Sequence, residues 1–197
     1  INTTFILEHI AKKVEIINHP QAIREVPEKL FSIKLIKYMP STLISEDISE
    51  IKIFFKKHKK VIVKPINGYS GNEVILLKTF NSKIINKYLK KHNHVIFQKF
   101  LSQISEGDRR VFIINGKSKR SISRVPKKNS ILSNMSKGAI ATINKLTGKE
   151  IKISKEVAIL LKKNNRYFAG VDFVQGQWIG DINVTSPTGL ATSYDLT

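Results

Sequence analysis

The sequence contains no cysteine. That absence excludes a disulfide framework, a thiolate nucleophile and a cysteine-based zinc site. No apolar run approaches the roughly eighteen residues that a membrane-spanning helix needs, and the N-terminal residues do not have the pattern of a signal peptide. Because 41% of the 197 residues are hydrophobic, the chain can still bury a substantial core. We therefore expect a soluble, folded protein that binds no membrane, and the lack of cysteine is compatible with a reducing compartment such as the cytoplasm.

Acidic residues are scarce: 15 Asp and Glu stand against 34 Lys and Arg, a net charge of +19. Such a charge suggests a nucleic-acid or anionic-membrane binder. Only six of the positive residues are Arg, however, whereas proteins that recognise phosphates and bases favour the Arg fork. Ile, Lys and Asn (30, 28 and 14) make up 72 of the 197 residues, which indicates a compositional bias. We attribute most of the charge to a solvated surface, and keep a non-enzymatic nucleic-acid-binding domain as the alternative of a different class.

The periodicity of apolar residues predicts an α+β protein with largely antiparallel sheets. The pair Asn115-Gly116 is a strong signal for a type I′ hairpin. Amphipathic helices are expected near the start of the chain and from Pro20 to Leu35. Further helices are predicted at 48–58, capped by Asp47, at 82–92 and at 154–165, and strands at 61–65, 73–78, 95–100, 109–114, 117–125, 167–175 and 178–184.

The last two predicted strands put acidic side chains on one face. If Gly176-Gln177 is a two-residue turn, Asp172 lies opposite Asp181, and residue 170 lies opposite Asn183. The other face is then apolar, with Val171, Phe173, Ile182 and Val184. Facing carboxylates destabilise a strand pair unless a positive group lies between them, and an all-oxygen set suits Mg²⁺. The alternative is a pair of exposed acids on an edge hairpin.

Two further segments could bind anions. Lys64 ends an apolar strand and is followed by the Gly-rich segment 68–72, an arrangement that can hold nucleotide phosphates. An ordinary Gly-containing hairpin with a solvated Lys is the alternative. Arg109, Arg110 and Arg124 lie within sixteen residues of one another, and Arg is favoured where carboxylates or phosphoryl groups are held in fixed geometry. A structural ion pair with Asp108 or Glu106 is the other interpretation of any one of them.

Taken in chain order, these segments resemble an ATP-grasp ligase and, more narrowly, bacterial glutathione synthetase. The resemblance rests on GDRRV at 107–111, RVP at 124–126, INVTSPTG at 182–189, and HPQAIRE at 19–25 followed by EKL at 28–30. It covers nearly the whole chain. It implies an α+β ATP-grasp fold in which two subdomains grip the nucleotide. Residues 1–40 would be linking helices from an absent N-terminal domain, 41–102 the small subdomain, and 103–197 the catalytic subdomain, truncated at its end.

The resemblance also implies a role for individual residues. ATP-binding roles fall on Lys29, Lys64, Gly68, Ser70, Gly71, Gln98, Lys99, Phe100, Leu101 and Asp108. Arg110 and Arg124 match catalytic positions, and substrate contacts fall on Arg124, Asn134, Ser186 and Thr188. The metal ligands, for Mg²⁺ with Mn²⁺ as a substitute, would be Asp172, Asp181 and Asn183. Residues 127–138 correspond to a lid loop.

The implied reaction is glutathione synthesis. ATP would phosphorylate the C-terminal carboxylate of γ-glutamylcysteine, and the amine of glycine would attack the acyl phosphate, so no nucleophilic side chain is needed. The resemblance further implies a homo-oligomeric full-length enzyme without a nucleic-acid partner, and leaves open whether this portion is active alone. Two departures from the family pattern are Asp181 in place of Glu and a lid at 132–139 without its Arg and one Gly. Another ATP-grasp carboxylate–amine ligase is the alternative within the same class.

Overall fold

The computed structural model describes residues 2–25, 27–68, 71–128, 130–164, 167–174 and 176–196. The chain forms two compact units. One consists of Met39–Ser102, and the other combines Ile1–Tyr38 with Gln103–Thr197. The N-terminal residues, which the family resemblance presents as linking helices, thus group with the C-terminal part of the chain.

The smaller unit is a four-stranded antiparallel sheet with two helices. Its strands are β1 (Thr42–Ser45), β2 (Val61–Pro65), β3 (Ile75–Leu77) and β4 (Val95–Lys99), in the order β1-β4-β2-β3. Its helices are α4 (Ile48–His58) and α5 (Ser82–His92). Alternate strand residues and one face of each helix form a single buried core, which contains Ile51, Phe55, Val61, Val63, Ile85, Val95 and Phe97.

Local signals explain why α4 and α5 begin and end where they do. The Asp47 side chain accepts a hydrogen bond from Ser49 N at 2.7 Å, and Asn81 accepts one from Ile84 N at 3.0 Å. Such caps satisfy backbone donors that the first turn leaves free. Two lysines and a histidine occupy the last turn of each helix, where positive charge complements the helix dipole. Both helices were predicted with these bounds, and the prediction is confirmed.

The larger unit contains a five-stranded antiparallel sheet in the order β7-β6-β5-β8-β9. The strands are β5 (Asp108–Ile114), β6 (Lys117–Val125), β7 (Ile140–Thr142), β8 (Phe168–Val174) and β9 (Gln177–Asn183). The predicted Asn115-Gly116 hairpin joins β5 to β6. Helix α6 (Gly148–Lys163) packs on the sheet through Ile153, Val157 and Leu161, and α7 (Leu190–Asp195) packs on β6.

The N-terminal part of this unit differs from the prediction. A single helix was expected from Pro20 to Leu35, but the structure has α2 (Pro20–Arg24), α3 (Glu28–Phe31) and a 3₁₀ segment (Ser32–Tyr38) that is kinked at Leu35, after the first helix α1 (Asn2–Ala11). The prediction was wrong because Pro27 has no N–H for a continuous helical ladder. Pro27 instead stands at the N-cap of α3.

Other boundaries were also missed. Helix α6 begins at Gly148 instead of residue 154, and β1, β7 and α7 were not predicted. The sequence did contain a signal for the start of α6, since Thr147 and Glu150 form a reciprocal capping box. Within the described ranges, no helix is both long and apolar enough to cross a membrane.

Candidate active site

Four charged side chains form a buried quartet on one face of the larger sheet. Asp108 on β5 pairs with Arg124 on β6, and Arg110 on β5 pairs with Asp172 on β8. Because side chains two residues apart share a face, these pairings bring all four side chains together. They are 2%, 3%, 6% and 6% exposed, respectively, so the charges must be compensated within the quartet.

The quartet is an alternating chain of acids and bases. Arg110 makes a bidentate contact with Asp172, with Nε–Oδ1 and Nη2–Oδ2 distances both 2.8 Å. Arg124 donates through Nε to Asp108 Oδ1 at 2.7 Å, and its Nη2 contacts Asp108 Oδ2 and lies 2.9 Å from Asp172 Oδ2. Two acids and two bases sum to zero charge, and the bidentate geometry fixes both guanidinium planes.

The two acids respond differently to this environment. Burial raises the pKa of Asp108 to about 6, although the guanidinium of Arg124 acts against that shift. Burial also acts to raise the pKa of Asp172, but Arg110 and Arg124 together outweigh it and hold that pKa well below its usual range. Burial acts to lower the pKa of Arg124, yet Asp172 and Asp108 raise it above the ordinary value. Asp172 is thus firmly ionised, and Asp108 is the acid nearest to taking up a proton.

The β8–β9 hairpin corrects part of the predicted register. Residue 170 pairs with Asn183, as predicted, but Val174 pairs with Gln177. Gln177 is therefore part of β9, so the prediction of Gly176-Gln177 as the two turn residues was wrong; Gln175 lies outside the described residues. A bulge absorbs the difference in register, because Val171 pairs with Ile182 and Phe173 with Trp178.

This bulge changes the position of the acids. Asp172 alone stands opposite the three residues 179–181, so Asp181 is not its direct partner as predicted. The Trp178 indole donates to the Asp181 carbonyl at 3.3 Å inside the bulge. The positive charge that compensates Asp172 comes from Arg110 and Arg124. The predicted apolar face is confirmed, since Val171, Phe173, Ile182 and Val184 are all buried.

The loop after β9 is held by its own side chains and by the quartet. Asn183 Oδ1 accepts from Ser186 N at 2.9 Å, and Asn183 Nδ2 donates to Ser186 O at 3.1 Å. Arg110 Nη1 donates to the carbonyl and the hydroxyl oxygens of Thr188 at 3.3 and 3.4 Å. The structure thus brings Arg110, Asp172 and Thr188 together, with Asn183 and Ser186 joined in the same loop.

The three residues predicted as metal ligands have suitable donor chemistry. Asp172, Asp181 and Asn183 offer only oxygen donors, and strand alternation on either side of the bulge puts Asp172 and Asn183 on one face. An ionised carboxylate has about four lone-pair positions. The contacts of Asp172 to the two arginines use three of them, so one remains for a cation. The described residues contain no cluster of three or more His, Cys, Asp or Glu with metal-site geometry.

Two residues of this region were not predicted. The Ser133 hydroxyl donates to Asp108 Oδ2 and is 7% exposed. Gly170 lies beneath Arg110, and a Cβ there would come within 3.2 Å of Arg110 Cδ and of Pro187 Cβ. A glycine inside a strand often marks such a close approach, so the sequence did carry that signal. Nothing in the sequence singled out Ser133.

The smaller unit carries most of the predicted nucleotide contacts. Lys64 on β2 and Gln98 on β4 share the sheet face that points away from α4 and α5, and each is 5% exposed. Gln98 Nε2 donates to the Thr42 hydroxyl at 2.9 Å. Exposed Lys99 ends β4 and is followed by half-buried Phe100 and Leu101.

The Gly-rich segment is described only in part. Gly68 N donates to Pro65 O at 3.4 Å, and Gly71 has a positive φ of 68°. Ser70 lies outside the described residues. Of the remaining candidates, half-buried Lys29 belongs to α3, and Asn134 is the N-cap of a 3₁₀ turn at Met135–Lys137. Both therefore belong to elements other than the three strands that form the quartet.

Comparison with known proteins gives a consistent picture. A family model described as the ATP-grasp domain of prokaryotic glutathione synthetase matches residues 28–196. Glutathione synthetase from Bradyrhizobium diazoefficiens is 34% identical over 194 residues, covering 96% of this chain and 62% of the relative. The enzyme from Rhodopseudomonas palustris is 32% identical over 194 residues, with the same coverage of 96% and 62%. The chain thus spans less than two thirds of the length of these relatives.

Solved structures share the fold at low sequence identity. An ATP-grasp ligase complexed with a minimal precursor superimposes with a TM-score of 0.64 at 17% identity, over 91% of this chain and 58% of that one. A D-alanine–D-alanine ligase from Bacillus anthracis complexed with ATP gives a TM-score of 0.66 at 16% identity, over 96% and 67%.

Proposed function

Because the chain belongs to the prokaryotic glutathione synthetase family and has the ATP-grasp fold, we propose that it is the ATP-grasp portion of a glutathione synthetase. The whole protein then joins glycine to γ-glutamylcysteine. The substrate carboxylate attacks the γ-phosphorus of ATP and ADP departs, leaving an acyl phosphate. The glycine amine attacks the acyl carbon, and inorganic phosphate leaves. Such chemistry needs positioning and charge neutralisation instead of a nucleophilic side chain.

The observation that carries the proposal is the buried quartet. A phosphoryl group in transfer carries negative charge on several oxygens, and fixed guanidinium groups stabilise it without reorganising. Arg110 and Arg124 are fixed in this way by their contacts with Asp172 and Asp108. We assign them the catalytic role, and assign Arg124, Asn134, Ser186 and Thr188 to the peptide substrate. Arg110 already reaches Thr188, which connects the two assignments.

Asp172, Asp181 and Asn183 are assigned as the residues that would hold Mg²⁺. A bound magnesium ion supplies charge neutralisation for the phosphate oxygens of ATP. Asp172 is suited to this role because it stays ionised, and the Asn183–Ser186 hydrogen bonds fix the orientation of the amide. Mn²⁺, which has similar oxygen coordination, could substitute.

For the nucleotide we assign Lys64, Gln98 and the Gly-rich segment in the smaller unit, and Lys29 and Asp108 in the larger one. Lys64 provides a positive charge on a rigid strand beside backbone N–H groups that can face phosphate oxygens. Gln98 to Leu101 would contact the adenine through the end of β4 and the residues after it. The full set is Lys29, Lys64, Gly68, Ser70, Gly71, Gln98, Lys99, Phe100, Leu101 and Asp108.

Nucleotide binding is the property to test first. Titration of the chain with Mg-ATP in a calorimeter should give saturable binding, and Asp181→Ala should abolish both this binding and the protection that Mg-ATP gives against heat. Asp195→Ala removes an exposed acid on α7 and serves as the matched control, which should bind like the wild type. A wild-type chain that binds no Mg-ATP would contradict the proposal.

The acceptor is tested on the full-length protein. Coupled ADP release should require both γ-glutamylcysteine and glycine. If ADP release with both substrates is no higher than in a control without acceptor, the glutathione synthetase proposal is contradicted. The function would then be that of another ATP-grasp carboxylate–amine ligase.

A further inference from the structure

The backbone of Val184, the residue that follows the last predicted metal ligand, is held at both its N–H and its carbonyl group. The Val184 N–H donates to Glu28 Oε1 at 3.1 Å. The Val184 carbonyl accepts from Asn18 Nδ2 at 2.7 Å. Both partners come from the N-terminal part of the larger unit, 156 and 166 residues away along the chain.

Glu28 makes further contacts with the same loop. Its Oε1 also accepts from Thr185 N at 3.4 Å and from the Thr185 hydroxyl at 3.1 Å. The last residue of β9 is Asn183, so the N–H groups of residues 184 and 185 have no ladder partner in that strand. A half-buried carboxylate that accepts three hydrogen bonds replaces the missing ladder and fixes where the loop leaves the sheet.

Asn18 provides the fixed base for this arrangement. Its side chain is 4% exposed and uses its full capacity. Nδ2 donates to Phe168 O at 2.6 Å as well as to Val184 O, while Oδ1 accepts from Tyr167 N at 2.8 Å and Phe168 N at 2.9 Å. Asn18 therefore connects the beginning of β8 to the end of β9.

We propose that Glu28 and Asn18 are positioning residues for the metal and substrate loop, an inference that rests on the proposed function. Residues 183–188 are held at their start by these two side chains and at their end by Arg110, which contacts Thr188. Asn183 lies within this segment, immediately before Val184, whose backbone N–H and carbonyl groups are both held. Partners that orient a metal ligand commonly change metal affinity by about 10–100-fold when they are removed.

The proposal predicts a defect confined to the metal-dependent step. Glu28→Ala should weaken the binding of Mg-ATP by about tenfold, and should leave the binding of ATP in the presence of a chelator unchanged. Glu28→Gln should restore most of the affinity, because its amide oxygen can accept the same hydrogen bonds. A residue that merely stabilised the fold would affect both nucleotide forms equally.

Hydrogen exchange gives a readout that needs neither metal nor nucleotide. In Glu28→Ala the amides of Val184 and Thr185 should exchange at least about tenfold faster than in the wild type, since the variant has no carboxylate to accept from them. The control is Glu25→Ala, which removes an exposed acid just after α2. The Glu25 carboxylate accepts a hydrogen bond from Gln21. It should change neither the exchange nor the Mg-ATP affinity.

The outcomes separate the two claims. If the wild-type chain binds Mg-ATP but Glu28→Ala leaves either the Mg-ATP affinity or the amide exchange of Val184 and Thr185 unchanged, only the positioning role is overturned. Wild-type chain that binds no Mg-ATP overturns the proposed function and the role built on it. If Glu28→Ala does not fold, Thr185→Val decides, because it removes one hydrogen bond to Glu28 at nearly constant shape. Thr185→Val should weaken Mg-ATP binding, as Glu28→Ala is expected to do. An unchanged Mg-ATP affinity contradicts the proposal.

Discussion

Asp108 and Asp172 are both buried aspartates in contact with Arg124, yet their pKa values move in opposite directions. The difference comes from the number of cations each contacts. Asp172 contacts two guanidinium groups, whereas Asp108 shares its single one with Asp172. Burial of the charge therefore dominates for Asp108 and not for Asp172.

This difference predicts an unusual pH dependence at Asp108. Its folded pKa of about 6 lies above the ordinary 3.8, so the folded state holds more protons than the unfolded state between these values. Stability from this group must then fall as pH rises through that window, by at most about 1.4 kcal/mol per pH unit. The free energy of unfolding should be measured with urea between pH 4 and 7. As pH rises to about 6, the value for the wild type should fall relative to that for Asp108→Asn.

Asp47→Asn is the control for that experiment. The hydrogen bonds from Ser49 lower the pKa of Asp47, so its contribution is fully present above 3.8 and is lost only as pH falls further. The difference between wild type and Asp47→Asn should thus be constant from pH 5 to 7. A difference between wild type and Asp108→Asn that is equally constant, or that grows with pH, would show that Asp108 stays ionised throughout.

At the scale of elements, helix α6 is connected to the strands of the site by one buried side chain. Glu150 in its first turn is fully buried and accepts from Thr147 N at 2.7 Å, completing the capping box. The same carboxylate accepts from Arg109 Nη1 at 2.8 Å and from Gly176 N at 3.3 Å. One side chain therefore links the start of α6 to β5, beside Arg110, and to the β8–β9 turn.

Glu150→Ala should be among the most damaging substitutions outside the quartet. It removes a helix cap and leaves Arg109, whose side chain is 29% exposed, without its carboxylate. We expect a loss of about 3 kcal/mol in the free energy of unfolding, measured with urea, against about 1 kcal/mol for Thr147→Ala. Glu156→Ala on the same helix, where the acid pairs with Lys37 near the surface, should cost less than either. Equal losses for Glu150→Ala and Thr147→Ala would mean that the ion pair contributes nothing.

The elements also show what a sequence can predict. The caps at Asp47 and Asn81 act within four residues, and the helices they begin were predicted to the residue. The strands β2 and β6 were likewise predicted with their observed bounds. The bulge in β9 was not predicted. It depends on the position of the β8–β9 turn and on the pairing of Asp172 with Arg110 on β5, at the other edge of β8.

In the candidate site, too, the features that depend on neighbouring residues were predictable, and those that depend on distant parts of the chain were not. The residue types of the quartet were identified, and an ion pair between Arg124 and Asp108 was one of the interpretations that local order allowed. The contact of Asn18 with Val184 joins residues 166 apart, and no periodicity or motif encodes it. Side chains that support the site from another element thus became visible only in the folded chain.

For the whole molecule, the net charge of +19 has to be reconciled with the ligase function proposed above. Helices α4, α5 and α6 each have two lysines in the last turn, which are Lys56 and Lys57, Lys90 and Lys91, and Lys162 and Lys163. The cations of the quartet are arginines, and they are neutralised by acids. Most of the excess charge therefore lies on the surface, apart from the quartet.

That separation predicts two independent binding behaviours. The lysine surface should bind duplex DNA only weakly, with a dissociation constant of about 10⁻⁴–10⁻⁶ M at physiological salt, and the affinity should fall steeply as salt rises. Fluorescence anisotropy of a labelled duplex should give the same curve for wild type and Asp181→Ala, with or without Mg-ATP. Replacing exposed Lys56 and Lys57 by Gln should reduce the slope of log affinity against log salt by about one for each phosphate that the variant no longer neutralises. Nanomolar binding at physiological salt that Asp181→Ala leaves intact, in a chain that binds no Mg-ATP, would instead favour a nucleic-acid-binding function, because the surface and not the quartet would then carry the activity.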